Sequence, residues 1–175
     1  MMTKKKKIKT LILISVSLLF LILAYSFVNS YYTKHTREAE LIELPDIPLH
    51  DLSGNNFNIE QLEGLKILVF MDPDCIYCKN QIKEFKELRK RLSYLTIVGI
   101  SEQPLEKLKD YINTEPFFNE PKNFMTHDYT SKMADHFWIG TTPHLLIYDE
   151  NNQLIKQNKG FINADKLIAI LEKVQ

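Results

Sequence analysis

Two cysteines and one tryptophan in 175 residues leave little room for a scaffold stapled by disulfides, which needs many cysteines in a short chain. Five glycines and seven prolines, with no low-complexity run outside the N-terminus, exclude a collagen-like, mucin-like or wholly disordered chain. Acidic side chains are missing altogether from residues 1 to 37, which hold seven Lys and Arg. The formal charge of zero therefore conceals an asymmetry: residues 38 to 175 carry 15 basic against 22 acidic residues, a net charge of −7. That sign argues against a nucleic-acid partner, because neutralising phosphates requires clustered Lys and Arg. What is present is a chain with 45% hydrophobic and 25% charged residues. That is long enough for one packed domain and an appendage, and too short for two large domains.

The appendage is N-terminal. Lys4, Lys5, Lys6, Lys7 and Lys9 form a basic tail (1–10) ahead of an uncharged stretch, 11–28. As a helix those eighteen residues would be roughly 27 Å long, enough to span a bilayer core. The lysines predict a cytoplasmic tail, an anchor in the cytoplasmic (inner) membrane through contact of 11–28 with the lipid bilayer, and a periplasmic or otherwise extracytoplasmic remainder. Tyr25, Tyr31 and Tyr32 stand near the outer interface. Ala24-Tyr25-Ser26 and Val28-Asn29-Ser30 resemble cleavage sites only poorly, and no Ala-x-Ala is present, so the reading favours an uncleaved signal anchor over a removed signal peptide. Residues 29–43 read as a polar tether, and 44–175 as the domain.

Within the domain, alternating runs on either side of Ser53-Gly54-Asn55-Asn56 predict a hairpin. Ile67 to Met71 is an unbroken apolar run, the pattern of a strand buried on both faces, ending at Asp72-Pro73-Asp74. Ile82, Phe85, Leu88 and Leu92 then recur at helical spacing. A second buried strand over 95–100 precedes a helix over 104–112 that turns Leu105, Leu108 and Ile112 inward. Residues 113–123, with Pro116 and Pro121, read as a loop, 124–127 as a short strand and 131–137 as a short helix. A hairpin follows from His144 to Phe161, and a last helix is capped by Asn163, with Leu167, Ile168, Leu171 and Val174 as its buried stripe. This order implies an α/β fold, a mixed central sheet with helices on both faces and an N-terminal hairpin extension.

Cys75-Ile76-Tyr77-Cys78 stands at the junction of a buried strand and an amphipathic helix. Free amide groups and the helix dipole stabilise a thiolate in a first turn, which marks Cys75 as the nucleophile and Cys78 as the resolving thiol. Cys75 would attack a disulfide, and Cys78 would release the reduced partner by closing the Cys75–Cys78 bond. An extracytoplasmic location permits that cycle if something resupplies electrons. Zinc would need two more soft ligands, and His127, His136 and His144 show no ligand spacing, so no metal and no cofactor are expected. A purely structural disulfide gains little from so small a loop.

Leu44-Pro-Asp-Ile-Pro-Leu-His-Asp-Leu-Ser-Gly, Leu62-Glu-Gly-Leu-Lys-Ile-Leu-Val-Phe, the Cys-x-x-Cys and Thr141-Thr142-Pro143 before an apolar strand together resemble the membrane-anchored thioredoxin-like proteins of the TlpA/ResA type. The resemblance covers about residues 44 to 174. It implies a thioredoxin fold, Pro143 as the cis-proline facing the cysteines, and a Thr142 backbone that contacts substrate. Extracytoplasmic cysteine-containing proteins, apocytochrome c among them, become the implied substrates, with a membrane electron donor if the reaction is reductive, as in cytochrome c biogenesis. The chain departs from the family pattern at Asp74 and Tyr77, where Trp and Pro are common, and at Gln81, where a glutamate often stands. Val69 replaces the buried aspartate of cytoplasmic thioredoxins, and Asp72 the threonine of peroxiredoxins.

Asp72 and Asp74 bear on direction. Carboxylates beside Cys75 oppose its thiolate, and a less stabilised reduced form makes a more reducing pair; alternatively, Asp74 caps the helix and Asp72 faces water. The first reading favours a disulfide reductase, with an oxidase or isomerase as its rival. His144 beside the cysteines would instead suit Cu(I) and a copper-binding assembly factor, and a redox-inert adaptor is a third possibility. His127 and His136 read as surface groups, and Phe137 with Trp138 as packing near the Thr-Thr-Pro turn.

Overall fold

The computed structural model describes residues 4–40 and 43–173. The chain divides into two compact units, Met1–Ile42 and Glu43–Gln175. Residues 1–3 of the basic tail, 41–42 of the tether and Val174 of the terminal stripe lie outside the described residues. The first unit is one helix, α1 (Lys4–Glu40). Its stretch Ile12–Asn29 has a mean hydropathy of 2.3 and none of it is buried, so it is long and apolar enough to cross a membrane. No glycine or proline interrupts residues 11 to 40, and the helix runs on through the stretch expected as a tether.

The second unit is built on a seven-stranded sheet: β1 (Leu49–His50), β2 (Asn56–Phe57), β3 (Lys66–Phe70), β4 (Thr96–Ser101), β5 (Asn123–His127), β6 (His144–Tyr148) and β7 (Leu154–Lys159), in the order β2-β1-β5-β4-β3-β6-β7. The first hairpin turns on Asp51, whose carboxylate accepts the backbone N–H groups of Ser53 and Asn55 at 2.8 and 2.9 Å, with Gly54 at φ +88°. Strands β3, β4 and β5 are mutually parallel, while β6 pairs antiparallel with β3 and β7. The two parallel connections run through α2 (Ile76–Arg91) and α3 (Leu105–Thr114). Both step the same way across the sheet, so right-handed crossovers put both helices on one face.

Strand alternation divides the core. Ile67, Val69, Met71, Leu145 and Ile147 pack with Cys78, Ile82, Phe85 and Leu88 of α2 and with Leu167, Ile168 and Leu171 of α5 (Ala164–Leu171). The alternate residues Leu68, Phe70, Leu146 and Tyr148 are equally buried and face the other way. There Phe70 meets Phe137, just beyond α4 (Lys132–His136), with ring centroids 5.9 Å apart. Helices thus cover both faces of the mixed sheet. Asn163 caps α5, its side chain accepting the Lys166 N–H at 3.0 Å.

The stretch expected as a plain loop over 113–123 is more than that. It holds a 3-10 turn, Pro116–Asn119, that buries Phe117 and Phe118 in the α2 side of the core. A single turn has no helical period to read in a sequence. The space for it comes from Gly99 in β4, where a Cβ would sit 2.9 Å from the Phe118 ring.

Candidate functional site

The C-terminal ends of β3 and β4 lie side by side because the strands are parallel neighbours, and the segments after them form the site. After β3 the chain turns through Asp72-Pro73-Asp74. The Asp72 carboxylate accepts the Asp74 N–H at 2.8 Å, and the Asp72 carbonyl accepts the Cys75 N–H at 3.0 Å. Cys75 stands at the N-cap of α2 with no side-chain cap bond. Asp74 therefore does not cap the helix, and its side chain goes elsewhere.

Both cysteines are free thiols in unlike surroundings: Cys75 is half-buried at the surface, Cys78 fully buried one turn further on. Burial alone would raise the Cys75 thiol. It is outweighed by hydrogen bonds from the Cys78 N–H and thiol, the Thr142 side chain and the Tyr77 N–H, so the group titrates below an ordinary cysteine. Burial pushes the Cys78 thiol up to about 12, although the Asp72 N–H and the Thr142 side chain pull the other way. Tyr111 on α3 is near enough to feel charge on Cys78; burial first, then Glu115 and Cys78, raises its phenol above the usual range. Cys75 thus gives up its proton more readily than an ordinary cysteine, and Cys78 less readily.

Thr142-Pro143 faces the pair. The peptide between them is cis, Pro143 is buried, and the Thr142 carbonyl lies 3.5 Å from Cys75 Sγ. The structure brings Cys75, Cys78 and Thr142-Pro143 together, and adds a role for the Thr142 side chain that the sequence did not disclose.

The carboxylates of Asp72 and Asp74 do not stand bare beside Cys75. Lys107 in the first turn of α3 places Nζ 2.7 Å from Asp74 Oδ2 and 3.7 Å from Asp72 Oδ1. Gln103 Nε2 donates to Asp72 Oδ2 at 2.8 Å, and Lys107 Nζ donates to Gln103 Oε1 at 2.9 Å. The hydrogen bond and charge of Lys107 hold the Asp74 carboxyl below its usual range. The carboxylates expected to oppose the thiolate are thus offset in part by Lys107. Gln103 and Lys107 lie about thirty residues from the cysteines, and only the parallel register of β3 and β4 connects them.

Other residues find structural places. Gln81, buried in α2, donates from Nε2 to the Ile162 carbonyl at 3.0 Å and accepts the Ile162 N–H at 2.9 Å, pinning the approach to α5. Val69 is core. His144 does not join the cysteines: it pairs with Phe70 on the sheet face away from α2, and its Nε2 lies 2.7 Å from the Gln157 amide. Among the described residues no three His, Cys, Asp or Glu side chains are grouped to hold a metal. His127 and His136 are half-buried rather than surface groups, since His127 stands opposite His50 across β1 and β5 and His136 packs edge-on against Phe137. Phe137 is buried as expected, whereas Trp138 is 45% exposed at φ +48°.

A model of the thioredoxin-like domain family matches residues 58–175, two thirds of the sequence. The chain belongs to the thioredoxin-like family. Solved structures agree on the fold. Mycobacterium tuberculosis DsbF is 18% identical at a TM-score of 0.64, covering 78% of this chain and 98% of its own. A secreted M. tuberculosis disulfide oxidoreductase homologous to E. coli DsbE is 16% identical at 0.59, covering 73% and 96%. StoA of Bacillus subtilis is 18% identical at 0.57, covering 73% and 99%. No curated protein matches the sequence significantly. The family match supports an oxidoreductase and these neighbours the fold; together they reach the broad family, a coarser assignment than the TlpA/ResA type.

Proposed function

We propose that the protein is a thiol-disulfide oxidoreductase that reduces disulfides in extracytoplasmic proteins, held at the cytoplasmic membrane by α1. The observation that carries this reading is the unequal pair: Cys75 half-exposed at the start of α2 under the Thr142 carbonyl, with the protonated Cys78 buried behind it. The Cys75 thiolate attacks one sulfur of a substrate disulfide, forming a mixed disulfide and expelling a thiolate that takes a proton. Cys78 then loses its proton and attacks Cys75 Sγ. The second substrate thiol leaves, two electrons have passed to the substrate, and the protein holds the Cys75–Cys78 disulfide until an external dithiol donor reduces it.

Direction follows from what stabilises the thiolate. The groups that lower the Cys75 thiol are neutral hydrogen-bond donors, and the nearby cation Lys107 is engaged by Asp72 and Asp74. Strong oxidants owe their potential to a heavily stabilised thiolate, and a thiolate held by neutral donors alone belongs on the reducing side. The TlpA/ResA-type motifs favour apocytochrome c or other cysteine proteins as substrates, with a membrane dithiol donor. The experiment is the reduction potential of the full chain in detergent, equilibrated in thiol redox buffers and trapped by alkylation. A value near or below about −230 mV supports a reductase, and one above about −150 mV makes the protein an oxidant.

A further inference from the structure

Carboxylates three residues and one residue before a reactive cysteine are an obstacle to its thiolate. Asp72 nevertheless serves both cysteines through its backbone, its carbonyl holding the Cys75 backbone N–H at 3.0 Å and its own N–H directed to the Cys78 sulfur. The turn is needed for its amides while its side chains carry the wrong charge. Its carboxylates are held from outside the turn, by Lys107 at 2.7 Å from Asp74 and 3.7 Å from Asp72, and by Gln103 at 2.8 Å from Asp72.

We propose that Lys107, supported by Gln103, is a positioning residue for the redox pair, offsetting part of the charge of Asp72 and Asp74 so that the turn holds both cysteines with less negative charge beside Cys75. The titratable groups around Cys75 in this arrangement are Asp72, Asp74, Cys78, Lys79 and Lys107, and Lys79 adds only a weaker attraction to Asp74. Lys107 is one-third exposed and Asp74 mostly exposed, and an ion pair so placed contributes little to stability. Its effect falls on the nearby sulfur. Where Cys75 is ionised the reduced state carries a negative charge that the disulfide state lacks, so removing the cation disfavours the reduced state. Closing the disulfide then releases two electrons to the incoming substrate, and the Cys78 proton, more readily.

This inference rests on Cys75 and Cys78 being the reactive pair, and the test separates the two. The sequence has only these two cysteines, so alkylation of the full chain in detergent reports on them alone. In Lys107→Gln, the pH midpoint of Cys75 alkylation should rise by about half a unit, and the dithiol/disulfide equilibrium with glutathione should move roughly threefold toward the disulfide. Asp74→Asn should shift both the opposite way, Lys107→Arg should stay within about twofold of wild type, and 1 M salt should shrink the Lys107→Gln effect. Unchanged midpoint and equilibrium in Lys107→Gln, or a shift that salt does not reduce, would overturn the role of Lys107. A wild-type chain that forms no Cys75–Cys78 disulfide would overturn the pair itself, and this inference with it.

Discussion

Cys78 holds its proton more tightly than Cys75, and in the proposed exchange that difference separates the two steps. Cys78→Ser should therefore accumulate a mixed disulfide through Cys75, visible on non-reducing gels, whereas Cys75→Ser should form none. Wild-type alkylation should reach its plateau at a lower pH than that of an unperturbed cysteine; a midpoint at or above the ordinary value would contradict the hydrogen-bonded thiolate. Gln81 gives a contrasting prediction. Truncation to alanine strands both polar groups of the buried Ile162 backbone, a loss of about 2–4 kcal/mol in urea unfolding. His144 ties stability to pH. Burial, then the charge of Lys159, lowers its imidazole to about 4, whereas an unfolded histidine binds its proton near 6.5. The unfolded chain thus holds the extra proton between those values, and this contribution, about 3 kcal/mol, is complete above pH 6.5 and lost as pH falls toward 4. His144→Phe should flatten that limb of a stability-against-pH curve. The cysteines were legible in the sequence because their chemistry is local: spacing, a strand before and a helix after. Lys107 and Gln103 were not, because nothing near Asp74 points to a helix that begins thirty residues later.

At the scale of elements, the pattern read most clearly where one face is buried and period decides. Ile82, Phe85 and Leu88 marked α2, and the unbroken run into Met71 marked β3, whose residues are buried on both faces. Where burial has no period, the reading failed. Pro116 and Pro121 argued for a loop, yet Phe117 and Phe118 fold into the core, a pairing that depends on Gly99 in a strand distant in sequence. That dependence makes a specific prediction. The Gly99 Cβ position lies 2.9 Å from two ring atoms of Phe118 and 3.2 Å from Met125 Sδ, none of them free to swing into solvent. Gly99→Ala should cost about 1–3 kcal/mol through overpacking, and Phe118→Leu in the same chain should recover part of the loss in thermal unfolding. A neutral Gly99→Ala would mean that the 3-10 turn yields more easily than its burial implies.

For the whole molecule, the question is whether the membrane segment contributes to the chemistry or only to its location. Among the described residues, the contacts named above for the dithiol lie within the second unit: the 72–75 turn, α2, the first turn of α3 and Thr142-Pro143. Helix α1 offers an apolar stretch, Ile12–Asn29, with no acidic or basic side chain, preceded by a lysine cluster. The physical division is between a segment that lowers its free energy in lipid and a domain whose sulfurs respond to amides and side chains within a few ångströms. The full chain should therefore partition with membranes and resist alkaline extraction, with Cys75 open to a membrane-impermeant thiol reagent added from outside the cytoplasmic membrane. A chain beginning at Glu43 should remain in solution and keep the same dithiol/disulfide equilibrium with glutathione, within about twofold. A tenfold difference between the two chains would mean that lipid or α1 acts on the sulfurs directly, and the electrostatic account of Cys75 built on Lys107, Asp72 and Asp74 would then have to include the bilayer.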